Sequence, residues 1–233
     1  MMYPYGYYFD PTYVLIIIAF MLSMFASFGV KSTFSKYSNV RNAKGMTGCG
    51  AARTILDRNG LYNIRIEHVA GDLTDHYDPR ADVIRLSDAT YNSSSVAAVG
   101  VAAHEAGHAI QHAVGYKPIK MRNAFVPAAN IGSWLSMPLF VLGLILANDH
   151  LALTGVILFS AVLLFQLITL PVEFDASGRA LKILDSSGML SEEEVGQAKK
   201  VLKAAAMTYV AAVASTALQL LRLVLIFNNR RRD

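Results

Sequence analysis

The chain has 233 residues, of which 54% are hydrophobic and only 16% charged. A soluble domain carries about 25% charged residues, so this composition argues against a protein fully surrounded by water and points to a bilayer. The net charge of +4 requires no nucleic-acid partner, because Lys and Arg beside anionic headgroups account for it.

The first apolar segment, Tyr13–Val30, contains no charge and is close to the ~20 residues a helix needs to cross the hydrocarbon core. No Lys or Arg precedes it, so it lacks the positive region of a cleaved signal peptide and reads as a signal anchor. Lys31, Lys36, Arg41 and Lys44 follow it, whereas Met1–Pro11 carries only Asp10. The positive-inside rule then expects the N-terminus outside and residue 31 onward in the cytoplasm of a bacterial-type plasma membrane. Cys49 is the single cysteine, which excludes an internal disulfide and agrees with a reducing compartment.

A mixed region follows, Lys31–Asn123. Thr47 is placed to cap a helix that runs to about Asn59 and stops at Asn59-Gly60. In Tyr62–Val69, Ile64 and Ile66 alternate with Arg65 and Glu67 as in a half-buried strand, and Asp82–Ser87 reads as a second strand after the turn-like Tyr77-Asp78-Pro79-Arg80. Asn92-Ser93-Ser94-Ser95 precedes an apolar helix from Val96 to about Val114, ended by Gly115. Ala124–Ala147 and Leu151–Val172 are then expected to form a transmembrane hairpin with Asn148–His150 outside. Glu173–Ser186 reads as a new helix, with Pro171 suited to its start. Ser191-Glu192-Glu193-Glu194 has the capping-box pattern and opens a long helix. That helix enters a fourth apolar stretch, Ala204–Phe227, broken only by Gln219 and Arg222.

The fold class expected is a mainly α integral membrane protein, with about four transmembrane helices and a small α+β zincin-like catalytic unit on the cytoplasmic side. Its parts are an anchor (1–30), an α+β region (31–123), the hairpin (124–172), cytoplasmic helices (173–203), and a C-terminal transmembrane or interfacial helix with a basic tail (204–233).

The chemistry concentrates in His104-Glu105-Ala106-Gly107-His108, which matches H-E-x-x-H on the helix expected from Val96. Residues four apart share a helical face, so both imidazoles can reach one ion while Glu105 handles a water beside it. Zinc lowers the pKa of a bound water from 15.7 to about 7, and Glu105 would carry its proton to the leaving amine. Small residues at 102, 103, 106, 107 and 109 suit close helix packing around the site. His112 continues the spacing but lies about 12 Å along the axis from position 104, too far for one ion. The third ligand must come from elsewhere, the candidates being His68, His76, His150, Glu67, Asp175 and Glu173. The hairpin favours Glu173, because two spans return the chain to the face and depth of the histidines. A carboxylate at that boundary is costly unless a cation neutralises it.

These segments resemble the membrane-bound neutral zinc metallopeptidases of the YugP type. The likeness runs through Asp75-His76-Tyr77-Asp78-Pro79-Arg80, Val83-Ile84-Arg85-Leu86-Ser87, Ala103 to Gln111 and Pro171 to Ser177. More distantly the chain is similar to the integral-membrane peptidases that include the heat-shock protease HtpX and the CAAX-processing prenyl-protein protease. The resemblance implies one Zn2+ per chain held by His104, His108 and Glu173, with Glu105 as general base. It also implies that Val83, Ile84, Arg85, Leu86 and Ser87 form an edge strand for an extended substrate. The wider group typically has aspartate four residues after the ligand glutamate, where this chain has Ser177. The task of orienting a zinc histidine then falls to Asp175 or Ser177, and Tyr209 or His76 is the candidate to stabilise the oxyanion.

The function expected is a zinc metalloendopeptidase acting on membrane or membrane-proximal proteins, with the bilayer and a peptide or protein as its partners. The alternatives are a catalytically silent zinc-binding scaffold, against which Glu105 argues, and a transporter. The spans hold few ionisable groups for a transport path.

Overall fold

The computed structural model describes residues 10–230; the first nine residues and the tail residues Arg231 and Arg232 lie outside that range. In chain order the elements are α1 (Tyr13–Ser38), α2 (Gly48–Arg58), β1 (Arg65–Val69), β2 (His76–Asp78), β3 (Val83–Ser87), α3 (Val96–Ala113), α4 (Lys117–Ile145), α5 (Asp149–Ser186) and α6 (Glu192–Arg230). The local signals act as their chemistry dictates. Thr47 Oγ1 accepts from the Gly50 amide at 3.1 Å to start α2, and Ser95 Oγ accepts from the Ala98 amide at 3.1 Å to start α3, each satisfying an orphan donor. Ahead of α6 the capping box is reciprocal: the Glu194 amide donates to Ser191 Oγ at 3.3 Å and the Ser191 amide to Glu194 Oε2 at 2.8 Å.

Helices α1, α4, α5 and α6 are long and apolar enough to cross a membrane, and they leave large side chains such as Phe28, Trp134 and Ile157 exposed. The described residues are thus mostly helical, with four candidate spans and one small sheet among them. It divides into two compact units, one of residues 1–25, 125–166 and 211–233, the other of residues 26–124 and 167–210.

In the second unit the sheet order is β1-β3-β2, with β3 parallel to β1 and antiparallel to β2. This corrects one expectation. Val83–Ser87 is the central strand, and its Val83, Ile84, Leu86 and Ser87 are buried. The reason is that Tyr77-Asp78, read as a turn, belongs to a three-residue strand that occupies the edge beside it. The pairs His76–Arg85, Tyr77–Ile84 and Asp78–Val83 use the backbone that an extended substrate would have needed. Ile55, Leu56, Ile84, Leu86, Val99 and Leu184 form the core of this unit. Across it α3 meets α5 closely: a Cβ on Gly107 would lie 2.7 Å from the Ala176 carbonyl oxygen.

In the first unit the antiparallel α4 and α5 also pack through glycine. A Cβ on Gly155 would lie 2.6 Å from the Ser136 carbonyl oxygen, and one on Gly132 2.5 Å from that of Leu158. Small residues of this kind let apolar helices approach where no hydrophobic effect drives them together. Phe140, Val156, Phe159, Leu223 and Phe227 fill the remaining space. The two described arginines of this unit, Arg222 and Arg230, are engaged. Arg222 Nε donates to Thr12 Oγ1 at 3.2 Å, and its guanidinium lies 3.9 Å from Asp10 and over the Tyr13 ring. Arg230 Nη1 donates to the carbonyls of Gly143 and Leu144 at 3.1 and 2.7 Å, capping the end of α4.

A second correction concerns Pro171, which starts no new helix. It lies inside α5, which runs unbroken from Asp149 to Ser186. Proline removes one backbone bond, and in an apolar helix neighbouring groups take up the freed carbonyl.

The contrast between two glycines of α3 is testable. Gly107→Ala should lower stability by about 1–3 kcal/mol, because its methyl meets backbone rather than a movable side chain. Gly100→Ala should be neutral or stabilising by up to about 1 kcal/mol, since a Cβ there meets Ala198 at an ordinary 3.4 Å. Thermal unfolding of the two variants in detergent checks this, and equal losses would contradict the packing.

Candidate metal centre

Two helices of the second unit build the site. Helix α3 places His104 and His108 one turn apart, and their rings meet edge to face at 4.7 Å between centroids. Helix α5 brings Glu173 against both. Its Oε2 lies 3.3 Å from Nε2 of His104 and 3.6 Å from Nε2 of His108. Glu173 is only 3% exposed, and its Oε2 has no hydrogen-bond partner among the described residues. The ligand-type atoms of these three residues lie within 4.8 Å of one another, the only such group of three among the described residues.

This donor set fits zinc. In a tetrahedral site with bonds of about 2.0–2.1 Å, two ligand atoms sit about 3.3–3.4 Å apart. The histidine–glutamate separations of 3.3 and 3.6 Å match that spacing. A buried carboxylate oxygen with no donor, aimed between two ring nitrogens, is the arrangement a cation resolves.

The far sides of both rings are held, and for His108 the hydrogen bonds identify the tautomer. Gln111 Nε2 donates to the Val172 carbonyl and to Asp175 Oδ2, both at 2.8 Å. Its Oε1 must therefore face Nδ1 of His108, 3.1 Å away, and this oxygen can only accept. The proton then sits on Nδ1, leaving the Nε2 lone pair toward Glu173. Asp175 is itself held by Arg179 Nε at 2.6 Å. His104 has a simpler partner, Ser177 Oγ at 3.1 Å from its Nδ1. Both orienting candidates thus have a place: Ser177 touches His104 directly, and Asp175 reaches His108 through Gln111. Gln111 was missed as a site residue. Its signal was position, three residues after His108 on the same helical face. Burial pushes the His108 pKa down, but the Glu173 and Glu105 carboxylates outweigh it and raise the pKa above the ordinary value. The pocket therefore favours positive charge.

A cavity of ≈ 240 Å³ opens on this group, with His104, Glu105, Glu173, Ser177 and Tyr209 in its wall. Asp75 and Leu73 line it as well, and Val30, Val101, Leu202, Ala205 and Ala206 make most of it apolar. Asp75 accepts from the amide and hydroxyl of Ser87 at 2.8 and 2.9 Å, which ties this cavity wall to β3.

The other candidates lie elsewhere. His76 is outside the cavity wall, with Nδ1 2.9 Å from the Thr74 carbonyl and Nε2 3.5 Å from Arg85. His68 pairs with Asp88 at 2.6 Å, and Glu67 with Arg65 and Arg85. His112 packs edge to face on Tyr77, 5.5 Å between centroids. Burial and the nearby His108 and Arg122 charges lower its pKa. His150 sits in the first turn of α5.

Residues 12–228 match the family model described as "Putative neutral zinc metallopeptidase". The chain is 49% identical over 219 residues to a Bacillus subtilis (strain 168) protein described as "Putative membrane protease YugP", covering 94% of this chain and 97% of that one. No solved structure matches it. The relative's description and the four apolar helices agree on a membrane location. With nearly its whole length matched, and with two histidines and a buried glutamate converging on one point, the chain belongs to this YugP-type family of neutral zinc metallopeptidases.

Proposed function

We propose that the protein is a zinc-dependent endopeptidase that cleaves membrane or membrane-proximal proteins, with His104, His108 and Glu173 holding one zinc ion. The observation that carries this is the buried Glu173 carboxylate, whose Oε2 has no hydrogen-bond donor among the described residues and faces Nε2 of both His104 and His108. A bound zinc ion supplies there polarisation of the scissile carbonyl and acidification of a water.

The chain's own residues divide the remaining work. Glu105, buried beside the two histidines in the cavity wall, accepts a proton from the attacking water as the new C–O bond forms. It returns that proton to the amide nitrogen as the C–N bond breaks. Tyr209, in the same wall, has the phenolic donor suited to the charge developing on the carbonyl oxygen. Ser177 and Gln111 keep the imidazoles from rotating, and Gln111 fixes the tautomer of His108. The apolar lining favours substrate side chains without charge. Because β3 is enclosed, an extended substrate meets instead the Leu73–Asp75 segment and the free edge of β2, where Leu73 and Asp75 reach the cavity.

The orientation proposed places the N-terminus, the α4–α5 turn and the end of α6 outside, and the catalytic residues on the cytoplasmic side. Two contacts of the first unit support a common end for these three. Arg222 holds the start of α1, and Arg230 caps α4.

Glu105→Gln should retain zinc and lower cleavage of a model membrane substrate by about 10²–10⁴-fold, because an amide accepts no proton. Activity close to the unaltered protein would refute the mechanism. His104→Ala, His108→Ala and Glu173→Ala should lose the metal, read by elemental analysis after gel filtration. Asp175→Ala should keep it at saturating zinc. Gln111→Ala should weaken zinc affinity by about 10–100-fold, measured by competition with a chelator, since it frees the His108 ring. Cysteine labelling in intact cells, with Cys49 replaced, tests the orientation. Positions 149 and 229 should both react with an impermeant reagent, and protection of either would reverse that end.

A further inference from the structure

We propose that a cavity between α1 and α6 is a binding site for the phosphate of an anionic membrane lipid. Lys36, Lys200 and Lys203 line one cavity of ≈ 400 Å³ with Ser32, Thr33 and Met207. None of the three lysines takes part in an ion pair among the described residues. Three ammonium groups around one space repel each other and attract an anion. The two hydroxyls add donors of the kind that bind phosphate oxygens.

The position of the cavity on the two helices identifies the source of that phosphate. Helix α1 is uncharged from Tyr13 to Val30 and becomes basic at Lys31, while α6 is charged up to Lys203 and carries no charge from Ala204 to Leu221. The two transitions are brought level, because Val201 packs with Phe34 and Tyr37 in one cluster. The cavity therefore has a cationic rim and, one turn along α6, an apolar side at Met207. A headgroup phosphate with acyl chains running beside the apolar part of each helix satisfies both halves, whereas a free phosphate uses only the first. The proposal rests on α1 and α6 crossing the bilayer and is independent of the peptidase chemistry.

The test uses the full chain in bilayers of phosphatidylcholine containing a minority of phosphatidylglycerol. Lipids retained after transfer to neutral detergent are counted by native mass spectrometry. The unaltered protein should keep phosphatidylglycerol selectively. Joint replacement Lys36→Gln, Lys200→Gln and Lys203→Gln should weaken this by about a hundredfold, roughly fivefold per lysine. Replacement of the same three by arginine should preserve it. A second triple, Arg58→Gln, Lys182→Gln and Lys199→Gln, removes the same charge from residues outside the cavity and should leave binding unchanged. Equal losses in the two glutamine triples would overturn the site, as would no loss in the first. If inorganic phosphate in detergent raises the melting temperature as much as phosphatidylglycerol does, the lipid source is refuted. Recovery of the first triple in the membrane fraction, with normal helical circular dichroism, separates loss of the site from failure to insert or fold.

Discussion

The buried charge of Glu173 is the constraint around which the second unit is arranged. A carboxylate at 3% exposure costs several kcal/mol in desolvation unless something positive faces it. What faces it are the Nε2 atoms of two histidines, and the Gln111 oxygen behind the His108 ring directs that ring's proton to the opposite side. As neutral imidazoles they offer lone pairs, which repel the carboxylate; as imidazolium they neutralise it. The neighbouring carboxylates accordingly push the His108 pKa above its ordinary value. A divalent cation at the shared point removes the conflict with no change in the hydrogen bonds behind the rings. The requirement reaches outward, since α3 and α5 must approach closely enough for Gly107 to lie against the Ala176 carbonyl. A larger residue at 107 would move the glutamate away from the histidines.

Much of this was legible in the sequence because its signals are local. The caps at Thr47, Ser95 and Ser191 and the stop at Gly115 act within four residues of their targets. The metal motif is one turn of helix. The place of Glu173 followed from the return of a hairpin, which is long in sequence but simple in topology. What failed was non-local or depended on competing local preferences. The edge or centre position of β3 depends on β2, which has three residues and contains a turn-forming Asp78 ahead of Pro79. Pro171 carries a strong local signal for a helix start, but the bilayer-type environment of α5 overrides it. Gln111 was silent because glutamine has no distinctive chemistry until its amide is oriented by Val172 and Asp175, more than sixty residues away.

The charges within the apolar helices follow a related logic. Arg222 interrupts the fourth apolar stretch, yet it meets a carboxylate, a hydroxyl and an aromatic face from the start of α1. Arg230 donates to the Gly143 and Leu144 carbonyls at the end of α4, which also accept from the amides of Asn148 and Ala147. Charge counting treats both as orientation signals, but each is committed to a specific contact. The charge rule therefore has less force for the end of α6 than its basic sequence suggests. The lysines of α1 and α6 differ, because no acid in the described structure answers them.

The two histidines are held with unequal firmness, and the inequality has a structural origin. His108 is oriented by an amide whose direction is imposed by a carbonyl and a carboxylate, the latter bound in turn by Arg179 above the Tyr116 ring. His104 relies on the hydroxyl of Ser177, which rotates freely and can donate or accept. A carboxylate in that position would fix the tautomer and strengthen the ring's basicity, but it would also add a third acid beside Glu105 and Glu173. With α3 and α5 already in contact at Gly107, a small neutral partner for His104 fits the space and adds no further carboxylate beside Glu105 and Glu173.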